Sequence, residues 1–433
     1  MTSVKSKLQV AIVLAVTVIV YAAIVIVGMR GWLNGNFDQY LVPGSYAAPQ
    51  NISAHGFENK VFPKMSAGWD GQFYYYHADD PLLLKDTASH LDMPDYRTKR
   101  VGVPAIAYVL SRMSGQDWTS PKFYFSVTVG LQIIATYMMA MFLYDRGYSP
   151  CISLIWSISG SALYTVAFGF IDGSADALLL ISLIFYAKDK IIEFIFFMSL
   201  AALSKESYIV VPLSLIIAQI IHYSYIYFYK KNDFNILIAL KGILINSIPL
   251  VIIFLWFLYL HLHLNTDSLL SKSGVNMVAS PFSAFYTYII AGINGETLTT
   301  LRGMEQHFPP YRLLIGLVIF LFIILSIIIS SLSIVASEGV GILENKKLLG
   351  MVISVIGISS AYTCLGETQL WEPVGFVKAI SLVVGLFIIL LPISKKRFPP
   401  VLFLLALSFC IYSVVVVSAR IGNEKFTHVV NEK

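Results

Sequence analysis

The chain has 433 residues, of which 57% are hydrophobic and only 13% are charged. A soluble globular domain carries about 25% charged residues, so most of this chain is expected to face lipid or to be buried between membrane helices. The net charge of +5 does not indicate a nucleic-acid surface, because basic residues in multi-pass membrane proteins usually mark cytoplasmic loops. Three isolated cysteines, Cys151, Cys364 and Cys410, predict neither a disulfide framework nor a zinc site.

Apolar segments long enough to cross a bilayer recur along the whole chain. Each has roughly the 20 residues that a transmembrane helix requires, which predicts an all-α polytopic membrane protein with about eleven transmembrane helices. The first segment is longer than the apolar region of a signal peptide, so we interpret it as a membrane anchor. The predicted spans are 8–29, 122–144, 149–168, 174–188, 190–204, 207–228, 236–262, 311–336, 347–364, 374–394 and 400–418.

The spans belong to a single integral-membrane domain, residues 1–433, in which two long segments interrupt the helices. Residues 30–121 are predicted to form a large first loop, and 263–310 a second one, on either side of a helical core at 122–262. The C-terminal helices occupy 311–433. Within the first loop, residues 101–113 are apolar but too short to span, which predicts an interfacial or re-entrant helix.

Basic residues predict the orientation of the chain. They fall in every second connection, an alternation that places the N-terminus in the cytoplasm and both long loops on the extracytoplasmic side. The basic residues on which this depends are Lys5, Lys7, Arg146, Lys188, Lys190, Lys230, Lys231, Lys346, Lys347, Lys395, Lys396 and Arg397.

The first loop contains the stretch "GWDGQFYYYHADDP" at 68–81, which is unusually polar and aromatic for this chain. Asp70 is followed by a glycine that permits close approach of a ligand, and Gln72 offers both a donor and an acceptor. Tyr74 and Tyr75 combine a flat apolar face with a hydroxyl, which suits stacking on a sugar ring. An aromatic belt at the membrane interface, with solvated acids, is the alternative interpretation.

Similar polar residues occur where other predicted spans reach the same side. Taken singly, each is an ordinary helix cap or loop charge, but ionisable residues at membrane boundaries are functional candidates. Together they predict an outward-facing polar cavity lined by carboxylates and a few cations. The residues are Asp172 and Asp176, Lys205 and Glu206, and Glu372 and Lys378.

The stretch 68–81, followed by "YRTKRVGVPAIAYVLS" at 96–111, resembles the first-loop motif of a bacterial family of integral-membrane proteins related to the GT-C glycosyltransferases. It is more loosely similar to eukaryotic GPI mannosyltransferases. "FGFIDGSADALLL" at 168–180 and "ALSKESYIVVPL" at 202–213 resemble two further segments of that family. "EPVGFVKAIS" at 372–381 is similar to a late segment that usually carries an arginine, where this chain has Lys378.

The resemblance implies a GT-C-like enzyme of the bacterial cell envelope, in the inner (plasma) membrane. Such an enzyme transfers a sugar from a polyprenyl-phosphate donor to a hydroxyl of a glycan, lipid or protein acceptor on the extracytoplasmic face. It implies that Asp70 acts as the general base or orients the acceptor hydroxyl. A cation must offset the charge of the phosphate leaving group, and Arg100 is the first candidate. The other residues expected to bind substrate are Gln72, Tyr74, Tyr75, Arg97, Asp172, Asp176, Lys205, Glu206, Glu372 and Lys378.

No cofactor is clearly implied. Asp79 and Asp80 resemble acidic pairs that hold a divalent metal, but the following Pro81 favours a turn. A polysaccharide polymerase or ligase acting on lipid-linked glycans is an alternative function, although the second loop has few arginines for a diphosphate. A transporter or flippase would place charges near mid-membrane, and a membrane scaffold would not need a ring of acids.

Overall fold

The structure is a computed structural model that describes residues 2–30, 41, 69–91, 93–230, 235–264, 279–294, 310–366, 370 and 373–423. These residues form helices and contain no β-strand, which confirms the all-α class. The longer helices are α1 (Thr2–Arg30), α2 (Asp70–Asp79), α3 (Gly102–Met113), α4 (Pro121–Asp145), α5 (Gly160–Phe168), α6 (Asp172–Ala187), α7 (Ile191–Ser204), α8 (Val210–Tyr229), α9 (Ile236–Leu264), α10 (Ser283–Asn294), α11 (Pro310–Glu338), α12 (Lys346–Thr363), α13 (Pro373–Ser394) and α14 (Pro400–Asn423). The short helical turns are Asp86–His90, Pro94–Arg97, Pro150–Ser153, Leu154–Ser157, Glu206–Ile209 and Gly341–Glu344.

Helix covers every predicted span, but not every span has the length of a bilayer crossing. Within the described residues, seven helices are long and apolar enough to cross a membrane. The helices at 150–157 and 160–168 meet at a bend of 55° and would make an eighth if they form one span. Helices α6 and α7 have only 16 and 14 residues. The chain is therefore a multi-pass helical membrane protein, and the figure of eleven spans stays a prediction.

Helix α6 lies at the centre of the bundle. It packs against α4, α5, α7 and α13, and all but two of its residues are buried. A helix that is apolar on every side is expected to be enclosed by protein rather than lipid. This central position fixes the N-terminal residue of α6, Asp172, at the end of the bundle where the first loop packs.

Helix α2, formed by the polar stretch of the first loop, packs directly over the end of α5. A Cβ atom on Gly71 would lie 2.3 Å from the carbonyl oxygen of Phe168, so only glycine allows this approach. Gly169, with φ +68°, ends α5 in the left-handed conformation. The Trp69 ring stacks on the Phe168 ring at 4.7 Å. The stretch from residue 69 onward therefore packs on the end of α5, and residue 68 lies outside the described part of the chain.

The two predicted loops both contain helix. Residues 102–113 form α3 as expected, and Gly102 lets it approach α7, because a Cβ there would be 2.3 Å from the Leu200 carbonyl oxygen. The second predicted loop contains α10, whose Phe285 stacks on Phe320 of α11 at 5.1 Å. The sequence did not predict this helix, because a 12-residue amphipathic segment gains stability from packing that its short apolar pattern does not reveal.

Candidate functional site

The polar segments predicted to form one site do come together at the end of the bundle where α2 packs. Five segments contribute side chains to this region: helix α2, the turn at 94–100, the first residue of α6, the junction between α7 and the next helix, and the first turns of α13. Ion pairs join three carboxylates to four cations in this charged cluster. Its members are Asp70, Asp172, Glu206, Arg97, Arg100, Lys205 and Lys378.

Asp70 is the most accessible carboxylate of the charged cluster. It occupies the first turn of α2, where the helix dipole favours a negative charge. Its Oδ1 accepts a hydrogen bond of 2.8 Å from Nη2 of Arg97, and the side chains of Asp70 and Arg97 are 45% and 4% exposed. Burial raises the pKa of Asp70, but the charge and the hydrogen bond of Arg97, together with the charge of Lys378, outweigh it, so the pKa lies below its ordinary value. The carboxylate is therefore ionised and open to a ligand.

Tyr74 lies one helical turn after Asp70 and connects the two arginines. Its hydroxyl oxygen accepts hydrogen bonds from Nη1 of Arg97 at 3.2 Å and Nη1 of Arg100 at 3.1 Å. The Tyr74 ring is 2% exposed, and the Tyr75 ring is fully buried, edge-on to Tyr124 at 5.9 Å. Neither ring is open to a sugar, so the structure does not support the predicted stacking role. Tyr74 instead holds two guanidinium groups in place.

Arg100 is fully engaged by a carboxylate, a hydroxyl and an aromatic ring. It forms a bidentate ion pair with Glu206, with Nε at 2.9 Å and Nη2 at 2.8 Å from the two carboxylate oxygens. The guanidinium also lies over the Tyr96 ring at 4.0 Å. Bidentate pairs of this kind are strong and fixed in geometry. Arg100 therefore positions Glu206, which is 34% exposed, and is poorly suited to the phosphate contact predicted for it.

Asp172 binds two lysines at once. Its Oδ1 accepts from Nζ of Lys205 at 3.0 Å, and its Oδ2 is 3.1 Å from Nζ of Lys378. All three side chains are largely buried, with 9% exposure for Asp172, 14% for Lys205 and 15% for Lys378. The Lys378 ammonium also lies over the Phe170 ring at 4.8 Å. The Asp172 carboxylate therefore connects α6, α13 and the junction at 204–206.

Two other predicted site residues are enclosed by protein. Asp176, one turn further along α6, is fully buried and accepts hydrogen bonds from Oγ of Ser161 and from the hydroxyl of Tyr208. Gln72 is also fully buried, and its Oε1 accepts from the Tyr76 hydroxyl at 3.2 Å. Direct contact of either residue with a substrate is not supported by this arrangement. Glu372 lies outside the described residues.

The members of the charged cluster also act on one another beyond their direct partners. The Asp70 carboxylate interacts electrostatically with the charges of Lys378 and Asp172. The Asp172 carboxylate interacts in the same way with the charge of Arg100. Because these interactions run between different ion pairs, the charged cluster forms a single electrostatic unit. It contains four cations and three carboxylates, so the ion-paired residues carry one surplus positive charge.

The acidic pair considered for metal binding has structural roles instead. Asp79 accepts from the Thr119 amide at 3.1 Å, Arg112 at 3.0 Å and Lys85 at 3.3 Å. Asp80 accepts from the backbone amides of Leu84 and Lys85, which fixes the expected turn after α2. Among the described residues, no group of three His, Cys, Asp or Glu side chains is placed to hold a metal ion.

Sequence reasoning missed the residues that support the charged cluster from behind. The Tyr96 ring lies against both Arg97 and Arg100, and Trp256 of α9 donates through Nε1 to the carbonyl of Thr98 at 3.1 Å. The tyrosine directly before Arg97 was a usable signal, since arginine often stacks on aromatic rings. Trp256 gave none, because 158 residues separate it from Thr98.

Comparison of the chain with models of protein families, with curated proteins and with solved structures gives no match.

Proposed function

We propose that the protein is a membrane glycosyltransferase that moves a sugar from a polyprenyl-phosphate carrier to an acceptor hydroxyl on the extracytoplasmic face. The observation that carries this proposal is the exposed, ionised Asp70 carboxylate beside four largely buried cations. A sugar transfer from a lipid phosphate needs both parts, a carboxylate for the attacking hydroxyl and positive charge for the phosphate. The eleven spans, the GT-C-like arrangement and a bacterial inner-membrane location belong to the same proposal.

In the proposed reaction the acceptor oxygen attacks the anomeric carbon of the sugar. Asp70 hydrogen-bonds to the acceptor hydroxyl and takes its proton as the new glycosidic bond forms. The bond between the anomeric carbon and the phosphate oxygen breaks, and its electron pair stays on the phosphate. Nearby cations stabilise this growing negative charge, which is worth most in a partly dehydrated site.

The location of the charged cluster favours this chemistry over transport. Asp172 begins α6, Lys205 follows the last residue of α7, and Lys378 lies in the second turn of α13. Transporters place their charged binding groups near the membrane midplane, often at breaks within helices. Charges at helix ends are instead expected near the membrane surface, where a lipid phosphate resides.

Replacement of Asp70 by asparagine tests the proposal. Asp70→Asn keeps the side-chain shape but cannot accept the proton, and loss of a general base typically slows turnover by about 10²–10⁴-fold. The assay measures transfer of radiolabelled sugar from polyprenyl phosphate to a membrane acceptor by purified protein. Asp117→Asn, which changes an exposed carboxylate between α3 and α4, should retain the wild-type rate. Equal rates for wild type and Asp70→Asn would exclude Asp70 as the base.

A further inference from the structure

The lysines of the charged cluster differ from its arginines in how their charges are paired. Arg97 and Arg100 each have their own carboxylate, Asp70 and Glu206 respectively. Lys205 and Lys378 share Asp172. Within the charged cluster, two cations therefore share one direct ion-pair partner at the lysine pair, although the charge of the buried Asp176 also acts on Lys205.

The lysine pair also has unused hydrogen-bonding capacity. An ammonium group has three N–H donors, and the described contacts use one donor of Lys205 and one of Lys378 on opposite oxygens of Asp172. Arg100, by contrast, already places three of its N–H groups on Glu206 and Tyr74. An incoming anion therefore finds both charge and free donors at the lysines rather than at the arginines.

We propose that Lys205 and Lys378 form the subsite for the phosphate group of the substrate, and that Asp172 is the positioning residue that sets the distance between their ammonium groups. Because Asp172 pairs with both lysines through opposite oxygens, its carboxylate holds one ammonium group on each side. A phosphate oxygen placed between them receives a hydrogen bond from each. The assignment of the phosphate to a lipid-linked sugar donor rests on the proposed function, whereas phosphate binding by the lysine pair does not.

Binding of farnesyl phosphate to the purified protein, measured by titration calorimetry, tests the lysine pair without requiring turnover. Lys205→Met and Lys378→Met each leave one lysine paired with Asp172, so neither leaves a buried charge without a partner. Each should weaken binding by about 10- to 100-fold, the range expected for loss of one charge-assisted hydrogen bond. Arg100→Gln removes the same charge from the charged cluster and should weaken binding much less. Lys188→Met, at the opposite end of α6 and paired with Asp145, should bind as wild type does.

A double variant distinguishes binding by the pair of ammonium groups from binding by net positive charge alone. The double variant Asp172→Asn/Lys378→Met loses one negative and one positive charge, so its net charge equals that of wild type. It retains the Lys205 ammonium group but lacks both the second ammonium group and the carboxylate. It should bind farnesyl phosphate about 10-fold or more weakly than wild type. Asp172→Asn alone should bind at least as tightly as wild type and yet lower kcat, because the ammonium groups remain but lose their spacing.

The outcomes distinguish the subsite from the proposed function. Wild-type affinity in both single lysine variants, or in the double variant, would overturn the subsite, and wild-type kcat in Asp172→Asn would overturn the positioning role of Asp172. Failure of wild type to bind either farnesyl phosphate or inorganic phosphate would also overturn the subsite. Equal binding of farnesyl phosphate and inorganic phosphate supports the subsite and identifies free phosphate as its ligand. Binding of farnesyl phosphate without any sugar transfer by wild type supports the subsite and removes the proposed function.

Discussion

Arg97 and Asp70 form an ion pair of 2.8 Å in which the cation is buried and the carboxylate is open to solvent. Three aromatic rings, those of Phe73, Tyr74 and Tyr96, enclose the guanidinium at 5.0 to 5.5 Å. Arg97 is therefore fixed, and its partner presents the free oxygen outward. This arrangement sets both the orientation and the protonation of the proposed catalytic carboxylate.

The charge of Arg97 should control the pH dependence of activity. Burial raises the pKa of Asp70, whereas the charge and the hydrogen bond of Arg97 and the charge of Lys378 lower it, so Arg97→Met should raise that pKa. Because the reaction needs ionised Asp70, kcat/KM of the variant should fall at higher pH than that of wild type as the solution is acidified. The profile of kcat/KM between about pH 4 and pH 8 measures this shift. Arg112→Met, which removes a guanidinium bound to Asp79, should not shift the pH at which kcat/KM falls. If Arg97→Met does not shift that pH either, Asp70 is not the group whose ionisation the reaction needs.

Gly71 should be intolerant of any side chain. A Cβ atom would lie 2.3 Å from the Phe168 carbonyl oxygen and 3.0 Å from Gly169 backbone atoms, so α2 must move away from α5. Overpacking of this kind typically costs about 1–3 kcal/mol, and displacement of the adjacent Asp70 by about 1 Å can lower turnover about 10²-fold. Thermal unfolding in detergent and the transfer assay measure the two effects. Gly130→Ala on α4, where a Cβ meets nothing within 4 Å, is the matched control, and equal behaviour of the two variants would refute the packing argument.

The helices were predictable from the sequence because their apolar segments have the length that a bilayer requires. That charged residues such as Asp70 and Asp172 lie close together was predictable too, since ionisable residues at membrane boundaries are rare and tend to be grouped with partners. The central position of α6 was not, because a helix of 16 residues gives no signal of which neighbours surround it.

The partners within the charged cluster could not be predicted. Glu206 pairs with Arg100 across 106 residues of sequence. The sequence around Arg100 does not indicate whether its guanidinium binds a carboxylate of the protein or a phosphate of a substrate. The ion pair with Glu206 makes Arg100 less suited to the leaving group than its sequence position indicates, because tertiary packing sets which cations are already paired. The sequence predicted sugar stacking for the tyrosine rings because it does not show whether an aromatic side chain is exposed or buried.

Asp79 should stabilise the fold without taking part in the reaction. It is 3% exposed, and burial raises its pKa, but the Thr119 amide, Arg112 and Lys85 together lower it further. Since its folded pKa lies below its unfolded value, the stabilisation is complete above about pH 4 and is lost as pH falls through the folded pKa. Asp79→Asn should lower the free energy of unfolding by about 1–3 kcal/mol at neutral pH, with the difference from wild type shrinking in acid. Asp86→Asn, which changes an exposed acid, should have little effect; a difference for Asp79→Asn that persists unchanged in acid would contradict this account.

The orientation of the chain can be tested with single cysteines at opposite ends of the bundle. Basic residues at the Lys188 end of α6 predict that this end lies in the cytoplasm, which places the charged cluster outside. In a background with Cys151, Cys364 and Cys410 replaced by alanine, Ser89→Cys should react with a membrane-impermeant maleimide in intact cells, because residue 89 is exposed beside α2. Lys190→Cys, equally exposed before α7, should react only after permeabilisation. The reverse pattern would place the charged cluster in the cytoplasm, where an extracytoplasmic acceptor could not reach Asp70.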